Sequence, residues 1–301
     1  MEMELSWPMK LRIAAAVAAG VILIGLAAWP LTAPPEPFGV VSLLTGAITP
    51  GEAITLAGLA FLTGFIAYFL SWPYGREIGI LAVPAGLAIW AVRSGSMADL
   101  MRVNYTLAER QLLFQGLKWE PFFWLSIVAA GFAGVLIGQK LRSKPGLYKN
   151  HQKYNPKSNK YLSIVIALVG SVLIAQFCIR VFARDVKMAD PALGSIVAQP
   201  AVGQIVFAVL VSFGLAAFLI KKFLNAGYIW PIMASALVTA FVIITYIHEG
   251  VLKYLVEYQP VVFFSNAVVS VLPVQMVAFG TLGSIAGYWL AIRYDYWQQH
   301  A

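Results

Sequence analysis

The densest group of side chains that could exchange protons is His248-Glu249, followed by Lys253 and Glu257. Histidine titrates near neutral pH, so His248 would donate or accept a proton at a quinone or lipid headgroup site, with Glu249 beside it. Residues 249, 253 and 257 also recur at intervals of four, and Glu–Lys–Glu pairing on one solvated helix face explains them equally. Metal binding is disfavoured, because adjacent residues share no helix face.

Uncharged polar residues within or beside long apolar runs include the amides Gln176, Gln204, Asn266 and Gln275. Side-chain amides in membrane helices usually bond to neighbouring helices, and this is the default interpretation. The alternative is that they line a path for a neutral solute. The sequence contains no serine-nucleophile elbow, phosphate loop, zinc-ligand spacing or carboxylate dyad, and its single cysteine excludes cysteine-based metal sites. We therefore predict no enzymatic activity, no metal and no cofactor.

The elements that would position these residues are membrane-spanning helices. Hydrophobic residues make up 60% of the 301 residues and charged residues only 11%, whereas a soluble domain carries about a quarter charged residues. The apolar residues form runs of about 17 to 22, long enough to cross a hydrocarbon core as helices. Without period-two alternation, a transmembrane barrel is excluded. The sequence predicts an all-α bundle with eight spans, at 11–30, 52–72, 77–94, 121–140, 161–183, 203–221, 226–247 and 271–293.

The apolar cores of these runs contain no Asp, Glu, Lys, Arg or His. Ionisable residues inside a membrane usually serve ion pathways, proton relays or counter-ions. Their absence from the cores argues against a pump and against a transporter driven by protons or sodium. Haem anchoring is also disfavoured, because paired histidines on facing spans are missing.

The second half of the chain resembles the first after a shift of about 150 residues, which predicts an internal repeat. We expect a four-span repeat at 1–140, a basic cytoplasmic linker at 141–160 and a second four-span repeat at 161–301. An even number of spans per unit makes the two repeats parallel, with a pseudo-twofold axis along the membrane normal. The shift superimposes Lys10 on Lys160, Gly20 on Gly170, Pro50 on Pro200, Gly64 on Gly214 and Leu87 on Leu237.

The distribution of Lys and Arg predicts the orientation. With the N-terminus inside, 13 of the 21 basic residues lie in inner segments and 8 in outer ones. We therefore expect a multi-pass protein of the cell inner membrane, with both termini facing the cytoplasm. The net charge of +8 fits attraction to anionic lipid headgroups. Nucleic-acid binding is excluded, because no basic stripe with interleaved aromatic residues stands apart from the membrane boundary.

Small residues predict where helices approach closely. Ala130 and Gly134 in the fourth span correspond to Gly283 and Gly287 in the eighth, each pair four residues apart. Such spacing lets backbones approach each other, and we expect these four residues to form the contact between the two halves.

Prolines indicate where spans are interrupted. Pro84 and Pro231 are expected at nearly equivalent depth in the third and seventh spans. Broken helices in corresponding halves mark binding sites in some transporters, but simple kinks are the commoner explanation.

Two surface helices are predicted outside the spans. The first has an apolar stripe of Met97, Met101, Tyr105, Ala108 and Leu112. The second places Val251, Leu252 and Leu255 against Glu249, Lys253 and Glu257.

Together these features favour a non-catalytic membrane protein that is a structural or anchoring subunit of a complex with other membrane subunits. One alternative is a permease or lipid-handling transporter that uses the seam between the repeats. Another is a quinone-interacting anchor of a respiratory complex, an architectural analogy alone.

Overall fold

A computed structural model describes residues 6–34, 39–45, 48–142, 160–248 and 250–300 of the chain. It is 77% helical with little sheet. Eight helical stretches are long and apolar enough to cross a membrane, which confirms the predicted number of spans for a multi-pass protein. They are Trp7–Ala27, Pro50–Leu70, Gly75–Arg93, Leu107–Arg142, Tyr161–Phe182, Val202–Leu224, Ile229–Ile247 and Pro273–Gln299.

Three of the spans in the first half are not uniform α-helices, and in the fourth, Leu107–Arg142, a turn at 118–119 separates two helices. The first comprises α1 (Trp7–Gly20), which continues as a π-helical segment over Val21–Ala27. The third comprises α3 (Gly75–Ile78), a 3-10 turn and α4 (Ala82–Arg93). The remaining long helices of the first half are α2 (Pro50–Leu70) and α7 (Glu120–Arg142).

The spans of the second half are continuous α-helices. These helices are α8 (Lys160–Phe182), α9 (Val202–Leu224), α10 (Ile229–His248) and α12 (Pro273–His300). Helix α9 ends at Asn225, whose positive φ of 47° closes the helix in the left-handed conformation.

Glycine brings α9 and α12 into backbone contact. A methyl group added at Gly287 would meet the carbonyl oxygen of Gly214, and one at Gly283 would meet that of Leu210. In the first half, a methyl group at Gly134 would meet the carbonyl oxygen of Phe61, while Ala130 is partly buried nearby. At these glycines the two helices of each pair therefore pack without intervening side chains.

These contacts lie within the halves, whereas we expected Ala130, Gly134, Gly283 and Gly287 to join the two halves. Gly134 lies on α7 and contacts α2, and Gly287 lies on α12 and contacts α9. The expectation was wrong for Gly134, Gly283 and Gly287, because spacing within one helix shows that a close approach occurs, but not which neighbour makes it. For Ala130 it stays a prediction.

The halves meet along a seam, which we define as the contacts of α4 and α7 with α10 and α12. Helix α12 packs on α4 and α7, and α10 packs on α7. Side chains from both halves share one buried apolar cluster, which includes Leu81, Val135, Ile232 and Ile285. The ring of Tyr228 lies 6.5 Å from that of Phe132, between centroids. Apolar packing therefore closes the seam.

A three-stranded antiparallel sheet departs from the all-α prediction. Its strands are β1 (Lys187–Asp190), β2 (Gly194–Ala198) and β3 (Phe263–Phe264), in the order β1-β2-β3. Phe264 is fully buried opposite Val197. Strands this short are stabilised by partners distant in sequence, so local periodicity does not reveal them.

Helices α5 (Met97–Val103) and α6 (Leu107–Leu117) occupy the segment predicted as one surface helix. Thr106 caps α6 through a capping box with Glu109, which starts a new helix. The predicted stripe is therefore wrong in its second half: Tyr105 and Leu112 are exposed, and Arg110 is buried instead.

Helix α11 (Val251–Tyr258) is amphipathic as predicted, with Val251, Leu252 and Leu255 buried. Lys253 lies 4.0 Å from Glu257 on the solvated face. Helices α5, α6 and α11 together with the sheet form a surface layer, which lies at one end of the spans.

Candidate functional site

A cavity of about 160 Å³ lies where α8 and α10 end and the chain leaves β3. Its lining is mainly polar and comes from three separate parts of the second half. The lining residues are Gln176, Arg180, Val242, Thr245, Tyr246, Ser265 and Asn266.

Helix α8 contributes Gln176 and Arg180, which lie four residues apart and therefore on one face. The adjacent Ala175 and Ile179 are fully buried in the bundle and fix the rotation of the helix. Phe177 is 70% exposed on the other side of the same turn. The cavity therefore borders the surface that faces lipid.

Helix α10 contributes Thr245 and Tyr246. The Thr245 hydroxyl donates to the carbonyl oxygen of Phe241 at 2.9 Å, so only its lone pairs face the cavity. Tyr246 is 2% exposed, and its hydroxyl has no hydrogen-bond partner among the described residues. Phe114 of α6 holds the ring in place, with 5.0 Å between the ring centroids.

The segment after β3 contributes Ser265 and Asn266. The Asn266 Oδ1 atom accepts a hydrogen bond from the backbone N–H of Val268 at 3.0 Å. Its Nδ2 atom lies 3.5 Å from the Ser265 hydroxyl, at the limit of a hydrogen bond. Because Oδ1 is engaged, the amide offers the cavity its N–H donors.

The cavity therefore combines a guanidinium group with amide and hydroxyl donors, and no carboxylate of the described residues lines it. Such a set binds an anion or a polar acceptor and disfavours a cation. The lining contains no nucleophile paired with a base. Across the described ranges, His, Cys, Asp and Glu form no group of three or more that could hold a metal ion.

A second buried polar cluster surrounds Glu120 at the start of α7. Its Oε2 atom accepts a hydrogen bond from the Ser42 hydroxyl at 2.6 Å, and its Oε1 atom accepts one from Trp124 Nε1 at 2.9 Å. Glu120 is 1% exposed. Both oxygens are engaged, so this carboxylate fixes the 39–45 segment to α7 rather than facing a ligand.

Asp190 organises the surface layer. Its carboxylate accepts backbone hydrogen bonds from Ala192 and Leu193 and side-chain hydrogen bonds from Tyr254 and Gln259, at 2.7–3.2 Å. Desolvation raises the pKa of Asp190, but these four hydrogen bonds outweigh it and hold the pKa below its ordinary value. Desolvation and the bond to Asp190 raise the pKa of Tyr254.

The predicted glutamines occupy three different environments. Gln176 lines the cavity. Gln204 donates to the carbonyl oxygens of Phe182 and Arg184 at the end of α8. Gln275 is buried and donates to the carbonyl oxygen of Ala91 across the seam. Gln204 and Gln275 thus have the default role of bonding to other segments.

Among the remaining candidates, the described residues Pro84 and Pro231 are not part of the cavity lining. His248 is the last residue of α10, and Glu249 lies outside the described residues. Pro231 falls in the first turn of α10, where a missing N–H leaves the helix unbroken. Pro84 lies midway along the third span, just after a 3-10 turn. The expectation of equivalent depth for the two prolines was therefore wrong.

Four lining residues were not predicted from the sequence as site residues: Arg180, Thr245, Tyr246 and Ser265. Arg180 contributed only to the count of basic residues on the outer side. One local signal was present, because Gln176 and Arg180 are one helical turn apart. Nothing in the sequence links them to residues 245–246 or 265–266, which are more distant along the chain.

No family model, curated protein or solved structure matches this chain.

Proposed function

We propose that this multi-pass protein is a non-catalytic subunit that anchors or scaffolds a larger membrane complex. The observation that carries the proposal is the apolar seam. A transporter working between the halves needs a polar path there, whereas Leu81, Val135, Ile232 and Ile285 pack together at that place. The cavity described above lies away from the seam, at the ends of α8 and α10.

Hydrogen bonds that cross between the halves further support a static role. Gln275 on α12 bonds to Ala91 on α4, and the side chain of Gln199 accepts from the backbone N–H of Ala98 at 3.2 Å. Buried polar bonds of this kind are costly to break in an apolar environment. The two halves thus behave as one body.

The parallel repeat and the cytoplasmic termini belong to the same proposal. The packing of α7 on α2 and of α12 on α9 through glycine supports the repeat. So does the reciprocal contact in which α12 packs on α4 while α7 packs on α10. The excess of basic residues in inner segments supports the orientation.

Two measurements test the proposed function. Native membranes solubilised in a mild detergent should yield the chain in an assembly with fixed partner stoichiometry. The purified chain in proteoliposomes should neither scramble fluorescent lipids nor admit small neutral solutes. A chain that is monomeric in native membranes and passes lipid or solute would contradict the proposal and support the permease alternative.

A further inference from the structure

We propose that the cavity between α8 and α10 binds a phosphate-type oxyanion, with Arg180 as the charge partner and Gln176, Tyr246 and Asn266 as hydrogen-bond donors. The site does not depend on the anchoring role, because its residues lie outside the seam. It adds a ligand to a protein whose sequence contains no phosphate loop.

The buried hydroxyl of Tyr246 is the first observation that points to a ligand. A polar atom removed from water without a partner costs free energy, so such atoms usually meet a bound group. The Tyr246 hydroxyl makes no hydrogen bond with the described residues, although it interacts electrostatically with Arg110 of α6, and the residue lines the cavity. The ring of Phe114 packs against that of Tyr246 at an angle of 53° and keeps it there. A ligand oxygen would accept its proton.

The charge of the lining is the second observation. Arg180 contributes a guanidinium group, whose planar donors match the oxygens of a phosphate. Within the described ranges, the salt bridges join Arg102 to Asp99 and Lys253 to Glu257, and neither involves Arg180. The site therefore offers a positive charge together with neutral donors, as an oxyanion requires.

The depth of the cavity favours a phosphate that belongs to a lipid. Arg180 and Tyr246 lie close to the ends of their spans, at the level where headgroups begin. Phe177 and Phe241 are 70% and 53% exposed beside the cavity, where acyl chains would lie. Free inorganic phosphate has the same oxyanion chemistry, and the experiment below separates the two sources.

The first half provides an internal comparison. At the ends of its first and third spans, the guanidinium of Arg93 lies 4.3 Å from the ring centroid of Trp29. Trp29 in turn lies against Trp90, with 6.5 Å between ring centroids. An indole ring thus engages the arginine in this half, whereas in the second half the arginine lines a cavity.

The test is native mass spectrometry of the intact purified chain in an uncharged detergent. Phosphatidylglycerol, diacylglycerol without a phosphate, and inorganic phosphate are titrated separately. The matched variants are Arg180→Gln in the lining and Arg184→Gln, an exposed arginine on the same side. We expect Arg180→Gln to weaken binding about tenfold or more, since hydrogen bonds to charged groups are strong, and Arg184→Gln to leave it unchanged.

A second pair of variants tests the buried hydroxyl. Tyr246→Phe should weaken phosphate binding severalfold without unfolding the chain, because only one oxygen is removed. Tyr258→Phe, at a residue 68% exposed, should have no effect. Binding of phosphatidylglycerol but not inorganic phosphate assigns the lipid source, and binding of inorganic phosphate alone assigns the free anion. Equal phosphate binding by wild type, Arg180→Gln and Tyr246→Phe would overturn the proposal, as would diacylglycerol binding as tightly as phosphatidylglycerol.

Discussion

The side chain of Gln275 donates a hydrogen bond to the carbonyl oxygen of Ala91, with 3.1 Å between the nitrogen and oxygen atoms. The same side chain accepts a hydrogen bond from the backbone N–H of Leu272 through Oε1. Ala91 lies near the end of α4 and Gln275 in the first turn of α12. One buried amide therefore completes a helix terminus and joins the two halves of the chain.

Replacing Gln275 with Leu should lower the free energy of unfolding by about 1–3 kcal/mol, because two buried backbone groups lose their partner. Unfolding by denaturant titration in mixed micelles measures the change. Gln298→Leu is the matched control, since Gln298 is exposed near the end of α12. If the two variants are equally stable, the bond across the seam contributes nothing.

Gly287→Ala should lower the free energy of unfolding by about 1–3 kcal/mol, because the added methyl group would force α12 away from the Gly214 carbonyl oxygen. Gly58→Ala is the control on α2, where an added methyl group meets nothing within 4 Å. That change should be neutral or stabilising, because alanine favours helix more than glycine does. Thermal unfolding in detergent distinguishes them, and equal midpoints would disprove backbone contact between α9 and α12.

Glu120→Ala should loosen the connection between the first two spans, since it removes the acceptor for both Ser42 and Trp124. Leaving the buried Trp124 N–H unpaired costs about 1–3 kcal/mol. Hydrogen exchange in the 39–45 segment should rise, while exchange in β1 and β2 stays unchanged. Unaltered protection of residues 39–45 would show that the segment is held by other contacts.

Asp190 should make the surface layer sensitive to acid. Its pKa is lowered in the folded state, so its contribution to stability is complete above the ordinary aspartate pKa. That contribution disappears as the pH falls through the folded-state pKa. The difference in unfolding midpoint between the wild type and Asp190→Asn should therefore be largest near neutral pH and shrink as the pH approaches the folded-state pKa. Asp185→Asn, at an exposed neighbour, is the matched control.

The spans were predictable because their signal is local: a run of about twenty apolar residues has no alternative in a membrane. Helix α11 was predictable for the same reason, since Val251, Leu252 and Leu255 already lie on one face. The sheet was not, because β3 has two residues and is stabilised by Val197 and Ala198 far away in the sequence. Thr106 and Glu109 form a capping box, which predicts that a new helix begins at α6. The apolar periodicity across residues 97–112 favoured a single helix instead.

The candidate site was only partly predictable. Gln176 was singled out for its polarity, and Arg180 follows it by one turn. In the sequence, Tyr246 is an ordinary aromatic residue near the end of a span. Only the structure shows that its hydroxyl makes no hydrogen bond. The partner of each packing glycine was likewise not predictable. The spacing of small residues identifies the contact face of one helix, but not the helix that packs on it.

The backbone contacts of Gly134 with Phe61 and of Gly287 with Gly214 have a mechanical consequence. Where the backbones touch, a sliding or rotation of α7 against α2, or of α12 against α9, would drive backbone atoms into each other. Lateral pressure from the surrounding bilayer should therefore move the two helices of each pair together rather than separately.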